Sequence, residues 1–359
     1  RDRFPVLWVN TIGTRAPRLN WETMKRAAEK IRQWGKPAEE KLPQPRWNSG
    51  ERDARSPNPD FRVVNPRMWP WFGRDVDRRL NCWLLSKQLA PLLLDMPQPV
   101  VVVTTLPITA DLPGVLTADR WIYYCVDDFS QWPGLDGETL RRMDREMIRR
   151  ADSLIAVSET LRSMIAAEGR RSTLLTHGVD VEFWRVTEDK RAQATRPSIV
   201  FWGVIDRRMD TPTLIETSRR IPHASITLIG PQQDPDPAIL SLPNVNVQPA
   251  MPLTSLPEMA AKADVLIMPY ADLPVTQAMQ PLKLKEYLAT GRPVVVNRLP
   301  STDAWMDCLD VAATSDEFAG LVVERLQTGV PMSQTIARER LQMESWRSKA
   351  ESFEAILRS

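Results

Sequence analysis

The chain has 359 residues and carries 47 Lys and Arg against 45 Asp and Glu, a net charge of +2. This near balance argues against a general nucleic-acid-binding protein, and the length suits two domains with separate cores. The three cysteines, Cys82, Cys125 and Cys308, are far apart and odd in number, which favours a reducing compartment over a disulfide framework. With His177 and His223 as the two histidines and no closely spaced cysteines, the sequence suggests no metal site.

The sequence contains no apolar run that approaches the roughly 18 to 20 residues needed to cross a bilayer. We therefore expect a cytoplasmic protein, either free or peripheral at the inner face of the membrane. Because the first residue is Arg1, the sequence leaves open whether a targeting segment came before it.

The first part of the chain predicts two strands, a helix and a polar insertion. Phe4 to Val9 is a short apolar strand, and the loop after it contains Gly13. A helix is expected from about Trp21, where apolar residues begin to recur at helical spacing. Five prolines between residues 36 and 60 predict a loop, and residues 61–64 predict the next strand.

Residues 66–85, PRMWPWFGRDVDRRLNCWLL, mix tryptophan with arginine. Arginines beside Trp69, Trp71 and Trp83 are typical of a surface that contacts a membrane interface. The same mixture fits tryptophans in a core with solvated arginines, which is the commoner arrangement. The sequence alone leaves both interpretations open.

Two carboxylates follow the second of two apolar strands, which are predicted at residues 100–106 and 121–126. At the carboxyl end of a strand, Asp127 and Asp128 can act as a base or orient a sugar hydroxyl. They can also cap the element that follows, or, less favoured, bind a metal.

Strands and helices then alternate, with a helix at residues 138–150 and strands at 153–157 and 173–176. This rhythm predicts an α/β protein with parallel, doubly wound sheets. We assign residues 1–185 to an N-terminal Rossmann-like domain, the polar stretch 186–197 to a linker, and 198–330 to a second Rossmann-like domain. Residues 331–359 predict a helical segment that packs back on the N-terminal domain.

The second domain repeats the alternation. Strands are predicted at residues 198–202, 224–229, 244–247 and 309–313. Thr211 and Pro212 open a helix, and Ser255 with Glu258 forms a capping box for another.

The stretch from Ala263 to Asn297 reads as strand, polar loop, short helix and strand. Residues 264–268 and 293–296 are apolar runs of the kind found in buried parallel strands. Pro281 suits the first helical position, and Gly291 suits a left-handed cap at the helix end. The preceding residues QAMQP predict non-helical chain at the carboxyl end of a strand, where open α/β sheets bind ligands.

Lys283 and Glu286 share one face of this short helix because they are three residues apart. A helix start with free N–H groups and a lysine attracts phosphate, and a carboxylate one turn later can accept from sugar hydroxyls. A simple surface ion pair between the two residues is the alternative.

Four segments occur in the order HGVDVEFW, GVIDRRMD, ADVLIMPY and PLKLKEYLATGRPVVV. Together they resemble the GT-B glycosyltransferases, more narrowly family 4 and its teichuronic-acid or capsule-type branch. The resemblance covers nearly the whole chain and is strongest from Ala151 to Asn297. It implies two Rossmann-like domains that face a central cleft, with an acceptor on the first domain and a nucleotide sugar on the second.

The resemblance also implies roles for particular residues. Glu286 matches the second glutamate of the E-x7-E pattern, which hydrogen-bonds the nucleotide ribose, and Lys283 can neutralise the diphosphate. Gly203 matches the glycine after the first strand of the donor domain, and Gly13 matches the loop that approaches the donor from the N-terminal domain.

The sequence departs from the family pattern at two positions. Ala278 replaces the first glutamate, so the backbone from Met279 to Leu282, including Pro281, or the side chain of Gln280 would contact the sugar instead. Val204 replaces an arginine, and Arg207 or Arg208 is expected to reach the phosphates in its place.

The resulting prediction is a glycosyltransferase that moves a sugar from a nucleotide-diphosphate sugar to a cell-envelope glycan or lipid-linked acceptor. The resemblance suggests a retaining reaction. Because cations and helix N–H groups can stabilise the charge on the leaving diphosphate, we expect no metal to be needed. Asp127, Asp128 and Lys283 are the candidate catalytic residues. Asp128 as a base would instead suit inversion. A nucleotide-sugar epimerase of the same fold and a non-catalytic nucleotide- or glycan-binding protein are the alternatives.

Overall fold

The computed structural model describes residues 4–11, 61–186 and 195–359. The chain divides into two compact units. The first contains residues 1–156 and 161–174, and the second contains residues 157–160 and 175–359. Residues 175–185, which the sequence led us to assign to the N-terminal domain, therefore group with the second unit.

The first unit is built on parallel strands. Strands β1 (Val6–Val9) and β2 (Phe61–Val64) pair with each other. A four-stranded sheet has the order β3 (Val101–Thr104), β4 (Arg120–Cys125), β5 (Ser153–Ala156), β6 (Thr173–Leu174). The helices are α1 (Asp75–Leu94), α2 (Gly137–Arg150) and α3 (Glu159–Ala167), the last of which begins in the residues grouped with the second unit.

Helix α1 was not predicted from the sequence, which we interpreted there only as a mixture of tryptophan and arginine. The sequence left open whether the aromatic residues of this stretch lie in a core or on the surface, and the answer differs from residue to residue. Met68 and Phe72 are buried, whereas Trp83 is 56% exposed. Trp69 and Trp71 lie between these extremes, with their ring centroids 4.7 Å apart.

The second unit has a six-stranded parallel sheet in the order β11-β9-β7-β12-β13-β14. Its strands are β7 (Ser198–Trp202), β9 (Ser225–Ile229), β11 (Val245–Gln248), β12 (Val265–Met268), β13 (Val294–Asn297) and β14 (Asp310–Ala312). The short strands β8 (Ile205–Asp206) and β10 (Gln232–Gln233) follow the carboxyl ends of β7 and β9 and pair with each other.

The helices of the second unit flank this sheet and form the C-terminal end of the chain. They are α4 (Val181–Trp184), α5 (Thr211–Arg220), α6 (Pro237–Leu240), α7 (Leu256–Lys262), α8 (Pro274–Ala278), α9 (Leu282–Ala289), α10 (Ser315–Thr328), α11 (Met332–Ala337) and α12 (Trp346–Arg358). Among the described residues, no helix has both the length and the apolar character that a bilayer span requires.

The strand order of this sheet indicates where a ligand would be expected to bind. Counted along the sequence of the second unit, the six strands lie in the order 3-2-1-4-5-6, which reverses between β7 and β12. Chains leave these two strands in opposite directions across the sheet, and open α/β sheets bind ligands at the carboxyl ends of the strands at such a reversal. All four residues of β12 and of β13 are buried, as expected for the centre of a parallel sheet.

Two local predictions in this unit are wrong. The QAMQP stretch is not wholly non-helical, because Gln277 and Ala278 form the end of α8. Ser255 precedes α7 but its side chain makes no capping hydrogen bond, since its backbone is already helical, with φ of −91° and ψ of −15°. A capping side chain needs an extended backbone at that position.

Candidate functional site

The candidate site starts where β7 ends, at Gly203. Gly203 has φ of 144°, and a Cβ placed on it would overlap the Nζ of Lys283. Its own carbonyl lies against Gly230, which follows β9 and has φ of 153°. Only glycine tolerates both the backbone conformation and the close approach at these two strand ends.

Lys283 lies in the first turn of α9 and extends between two aromatic rings. Its Nζ donates a hydrogen bond to the hydroxyl of Tyr270. The same atom lies 4.3 Å from the ring centroid of Phe201 and 4.6 Å from that of Tyr270. The negative faces of the rings stabilise the ammonium and fix its position. Over the described ranges no carboxylate forms an ion pair with Lys283, so its charge can serve an anionic ligand.

The start of α9 supplies backbone donors beside this ammonium. Pro281 is buried and immediately precedes the helix, with φ of −66° and ψ of 119°, so it does not hold the first helical position as predicted. Leu282 and Lys283 begin the helix, and the first N–H groups of a helix have no intrahelical acceptor. These free N–H groups and the half-buried Gln280 before them lie at the amino end of α9, a position that suits a phosphate group.

Glu286 follows Lys283 by one turn and is oriented by an indole. The Nε1 of Trp202 donates to a carboxylate oxygen of Glu286 at 3.2 Å. Burial raises the pKa of Glu286, and the Trp202 hydrogen bond and the charge of Lys283 partly oppose this shift. The second carboxylate oxygen can accept from a ligand hydroxyl.

Trp202 is itself held on two sides. Its ring stacks on Trp184 with centroids 5.4 Å apart and planes 4° from parallel. The ring of Tyr287 meets it edge-on at 4.3 Å, and the Tyr287 hydroxyl accepts from the backbone N–H of Trp202 at 3.0 Å. This packing gives the carboxylate of Glu286 a fixed direction.

The two arginines expected near the phosphates differ sharply. Arg208 is 5% exposed and forms an ion pair with Asp206 at 2.8 Å. Its guanidinium also lies 5.8 Å from the ring centroid of Tyr270, so it shares that ring with Lys283. Arg207 instead extends into solvent and pairs with Asp234. Arg208 therefore lies at the site with its charge balanced, and Arg207 lies on the surface.

Ala278, at the position of the family's first glutamate, is buried. It is 2% exposed, and its carbonyl accepts a hydrogen bond from the hydroxyl of Ser158 at 2.9 Å. The position is therefore packed inside the second unit as the last residue of α8. Non-helical chain begins only at Met279.

The remaining predicted residues lie elsewhere. Asp127 and Asp128 follow β4 in the first unit. The carboxylate of Asp128 accepts from the backbone N–H of Ser130 at 3.0 Å and from its hydroxyl at 2.6 Å, so it caps the short 3-10 helix at residues 129–131. The structure thus shows the capping role that was one of the alternatives. Gly13 lies outside the described residues.

Sequence reasoning missed the aromatic residues that hold the site together, namely Trp202, Phe201 and Tyr270. The signal was present, because FW ends β7 directly before Gly203 and Tyr270 follows β12 by two residues. An aromatic residue at a strand end is also common in cores, so the sequence did not single these out. The assembled cluster can bind a diphosphate at Lys283 and a pair of hydroxyls at Glu286.

Solved structures define the fold of this chain. Sucrose-phosphate synthase from Thermosynechococcus elongatus superposes with a TM-score of 0.69 at 15% identity, over 99% of this chain and 98% of that one. Anabaena HepE in complex with UDP superposes with a TM-score of 0.64 at 13% identity, over 83% and 85% of the two chains. The chain therefore has the GT-B fold, which confirms the predicted fold class.

A sequence relative points in the same direction. The chain is 31% identical over 213 residues to the Bacillus subtilis (strain 168) protein named "Putative teichuronic acid biosynthesis glycosyltransferase TuaH". The match covers 53% of this chain and 53% of that protein, so it spans about half the length of each. No protein-family model matches the chain.

Proposed function

We propose that the protein is a glycosyltransferase that uses a nucleotide-diphosphate sugar as donor. The observation that carries this proposal is the position of Lys283. Its ammonium lies against Gly203, at the carboxyl end of β7, with the start of α9 beside it and Glu286 one turn further on. A diphosphate placed over that helix start would meet the cation and the backbone amides together.

The chemistry follows from where negative charge develops. The bond between the anomeric carbon and the β-phosphate oxygen breaks, and the electron pair leaves with the nucleoside diphosphate. Lys283 and the N–H groups at the start of α9 are placed to stabilise that charge. The acceptor hydroxyl oxygen forms the new bond to the anomeric carbon, and its proton passes to the departing phosphate oxygen. We propose that Lys283 and these N–H groups stabilise the leaving diphosphate without a metal ion.

Glu286 binds the nucleotide in this proposal. Ionised, it accepts hydrogen bonds from the two ribose hydroxyls, as the resemblance implies, while Trp202 keeps the carboxylate in place. Arg208 is less suited to the phosphates than Lys283, because Asp206 already balances its charge in a buried pair. Lys283 is therefore the cation that we assign to the diphosphate.

The sugar end of the donor is assigned to the backbone between Met279 and Leu282 and to Gln280. Ala278 has no carboxylate and is buried, so its side chain cannot take the role of the family's first glutamate. This change also supports the second candidate function, a protein that binds nucleotide sugar without transferring it.

The acceptor is proposed to be a cell-envelope glycan or lipid-linked sugar, in line with the name of the Bacillus subtilis relative. The reaction is proposed to retain the anomeric configuration, as the resemblance suggests. If Asp128 acted as a base in an inverting reaction, NMR of the product would show the opposite anomer.

A donor panel tests the proposal. Purified protein is incubated with UDP-, GDP- and dTDP-sugars while the thermal shift, slow donor hydrolysis and isomerisation are measured. UDP-sugars come first because structures of HepE were solved with UDP and UDP-glucose. Stabilisation with hydrolysis or transfer supports the transferase. Stabilisation alone favours the binding protein, and acceptor-free isomerisation favours an epimerase. No response to any donor rejects the proposed site.

A further inference from the structure

Helix α1 of the first unit presents an exposed line of apolar and basic side chains. Val76, Trp83 and Leu94 are 71%, 56% and 79% exposed, and Lys87 is also exposed. These four residues are separated by seven, four and seven positions. At 3.6 residues per turn, such spacing places them within a narrow arc along roughly 27 Å of helix.

The opposite side of α1 is fixed in the core, so this outward line is a stable feature of the fold. Arg78, Asn81, Leu85 and Leu89 are buried on that side. Arg78 forms ion pairs with Asp111 and Glu146, and Asn81 bonds to the backbone of residues 69 and 71. Rotating α1 to hide its apolar line would break these contacts and expose the buried leucines.

The charge along this line is positive. The acidic residues of α1, Asp75 and Asp77, lie in its first turn, about 100° to either side of the line, and none occurs from Arg78 to Leu94, where Arg79 and Lys87 are exposed. The Nζ of Lys87 lies 5.0 Å from the centroid of the Trp83 ring, so cation and indole point the same way. Helix α2 contributes exposed arginines nearby, since Arg142 donates to the carbonyl of residue 73, just before α1.

We infer that α1 is a docking surface for an anionic lipid bilayer, with the helix lying in the plane of the headgroups. Exposed Trp83 suits the interface, where an indole is half apolar and half polar, and Val76 and Leu94 would enter the acyl boundary. Lys87 and Arg79 would meet lipid phosphates. A two-fold dimer through this line is disfavoured, because it would bring Arg79 and Lys87 of two copies together, whereas the acidic residues of the helix, Asp75 and Asp77, lie off the line in the first turn. The inference does not rest on the proposed activity.

Vesicle flotation of the full chain tests it, using phosphatidylcholine alone and phosphatidylcholine mixed with phosphatidylglycerol. The wild type is expected to float with the anionic vesicles, less so at high salt, and weakly with the neutral ones. Trp83→Ser combined with Leu94→Ser should lower the partition coefficient by about tenfold or more. Lys87→Gln should lower it by about fivefold.

The matched control is Met332→Ser with Met343→Ser, which removes two side chains of similar exposure, 73% and 68%, from the second unit. It should bind vesicles as the wild type does, and thermal melting should show that every variant is folded. Failure of the wild type to bind anionic vesicles overturns the inference, as does equal binding by the α1 variant. A dimer in sedimentation that the α1 substitutions dissolve would assign the surface to a second copy instead. Donor binding, measured in parallel, should be unchanged in all variants.

Discussion

Replacing Lys283 by alanine should remove the one cation that we assign to the leaving diphosphate. The Nζ is held by the Tyr270 hydroxyl and by two ring faces at 4.3 and 4.6 Å. A charge-assisted hydrogen bond contributes about 1.5 to 3 kcal/mol. If that bond forms fully only as the sugar leaves, kcat should fall by about ten- to a hundredfold.

Lys283→Arg should not restore the activity. The ammonium already fills the space over Gly203, where even a Cβ would overlap it, so a planar guanidinium has no room in the same place. Transfer or donor hydrolysis is measured at saturating and at limiting donor. Lys262→Ala serves as the control, because Lys262 is a partly exposed lysine paired with Glu258 on α7.

Unchanged kcat and kcat/KM in a folded Lys283→Ala variant would refute the role of Lys283. An effect confined to KM would also contradict the reasoning, since it would mean that the lysine binds ground state and transition state equally. Thermal melting is needed beside the kinetics because the ammonium also packs on two aromatic rings.

Four further outcomes follow from the same site and from the core. Glu286→Gln should weaken binding of a nucleotide sugar by about tenfold or more in calorimetry. Because burial raises the pKa of Glu286, wild-type affinity should begin to fall on acidification at a higher pH than an ordinary glutamate would give, while the affinity of the variant stays flat. Trp202→Phe removes the hydrogen bond to the Glu286 carboxylate and should raise the donor KM by about two- to tenfold, with kcat little changed. An unchanged donor KM would mean that the indole does not position the carboxylate. Gly203→Ala should reduce turnover as much as loss of Lys283 does and lower the free energy of unfolding by about 1 to 2 kcal/mol, both testable by kinetics and urea denaturation. Burial raises the pKa of Asp144 to about 6, so the folded state disfavours its ionisation and the free energy of unfolding of the wild type should fall as pH rises from 4 to 7. Asp144→Asn should be more stable than the wild type by about 1 to 2 kcal/mol at pH 7.5. An equal difference in stability at pH 4.5 would contradict this.

The sheets were predictable because their signal is local. Apolar runs at residues 198–202 and 293–296 predicted buried parallel strands, and the structure has strands at Ser198–Trp202 and Val294–Asn297. The turn at Gly291 was predicted for the same reason, since its φ of 77° is one that glycine adopts readily. Helix α1 was missed because its outward line is apolar and basic, so the usual contrast between an apolar inner face and a polar outer face is weak.

The candidate site could be predicted in part. The sequence selected Lys283, Glu286 and Gly203, and the structure brings all three together around Trp202. The sequence could not decide whether Arg207 or Arg208 lies at the site, because the direction of each side chain depends on the backbone conformation of the loop. Asp206 and Tyr270 decide that difference, and Tyr270 lies more than sixty positions further along the chain.

The helix sequence KLKE shows what each level of structure determined. The sequence by itself established a short helix after a buried strand and placed Lys283 and Glu286 on one face, because helical spacing depends only on neighbours. It gave no sign that Lys285 would be buried. The tertiary structure placed the Nζ of Lys285 on Glu344, on the hydroxyl of Thr176 and on the carbonyl of residue 177, so its charge is used within the fold. Lys283 meets two aromatic rings instead, and we propose that its charge serves a ligand. Two lysines of one helix thus differ in their partners because distant parts of the chain place a carboxylate on one and aromatic groups on the other.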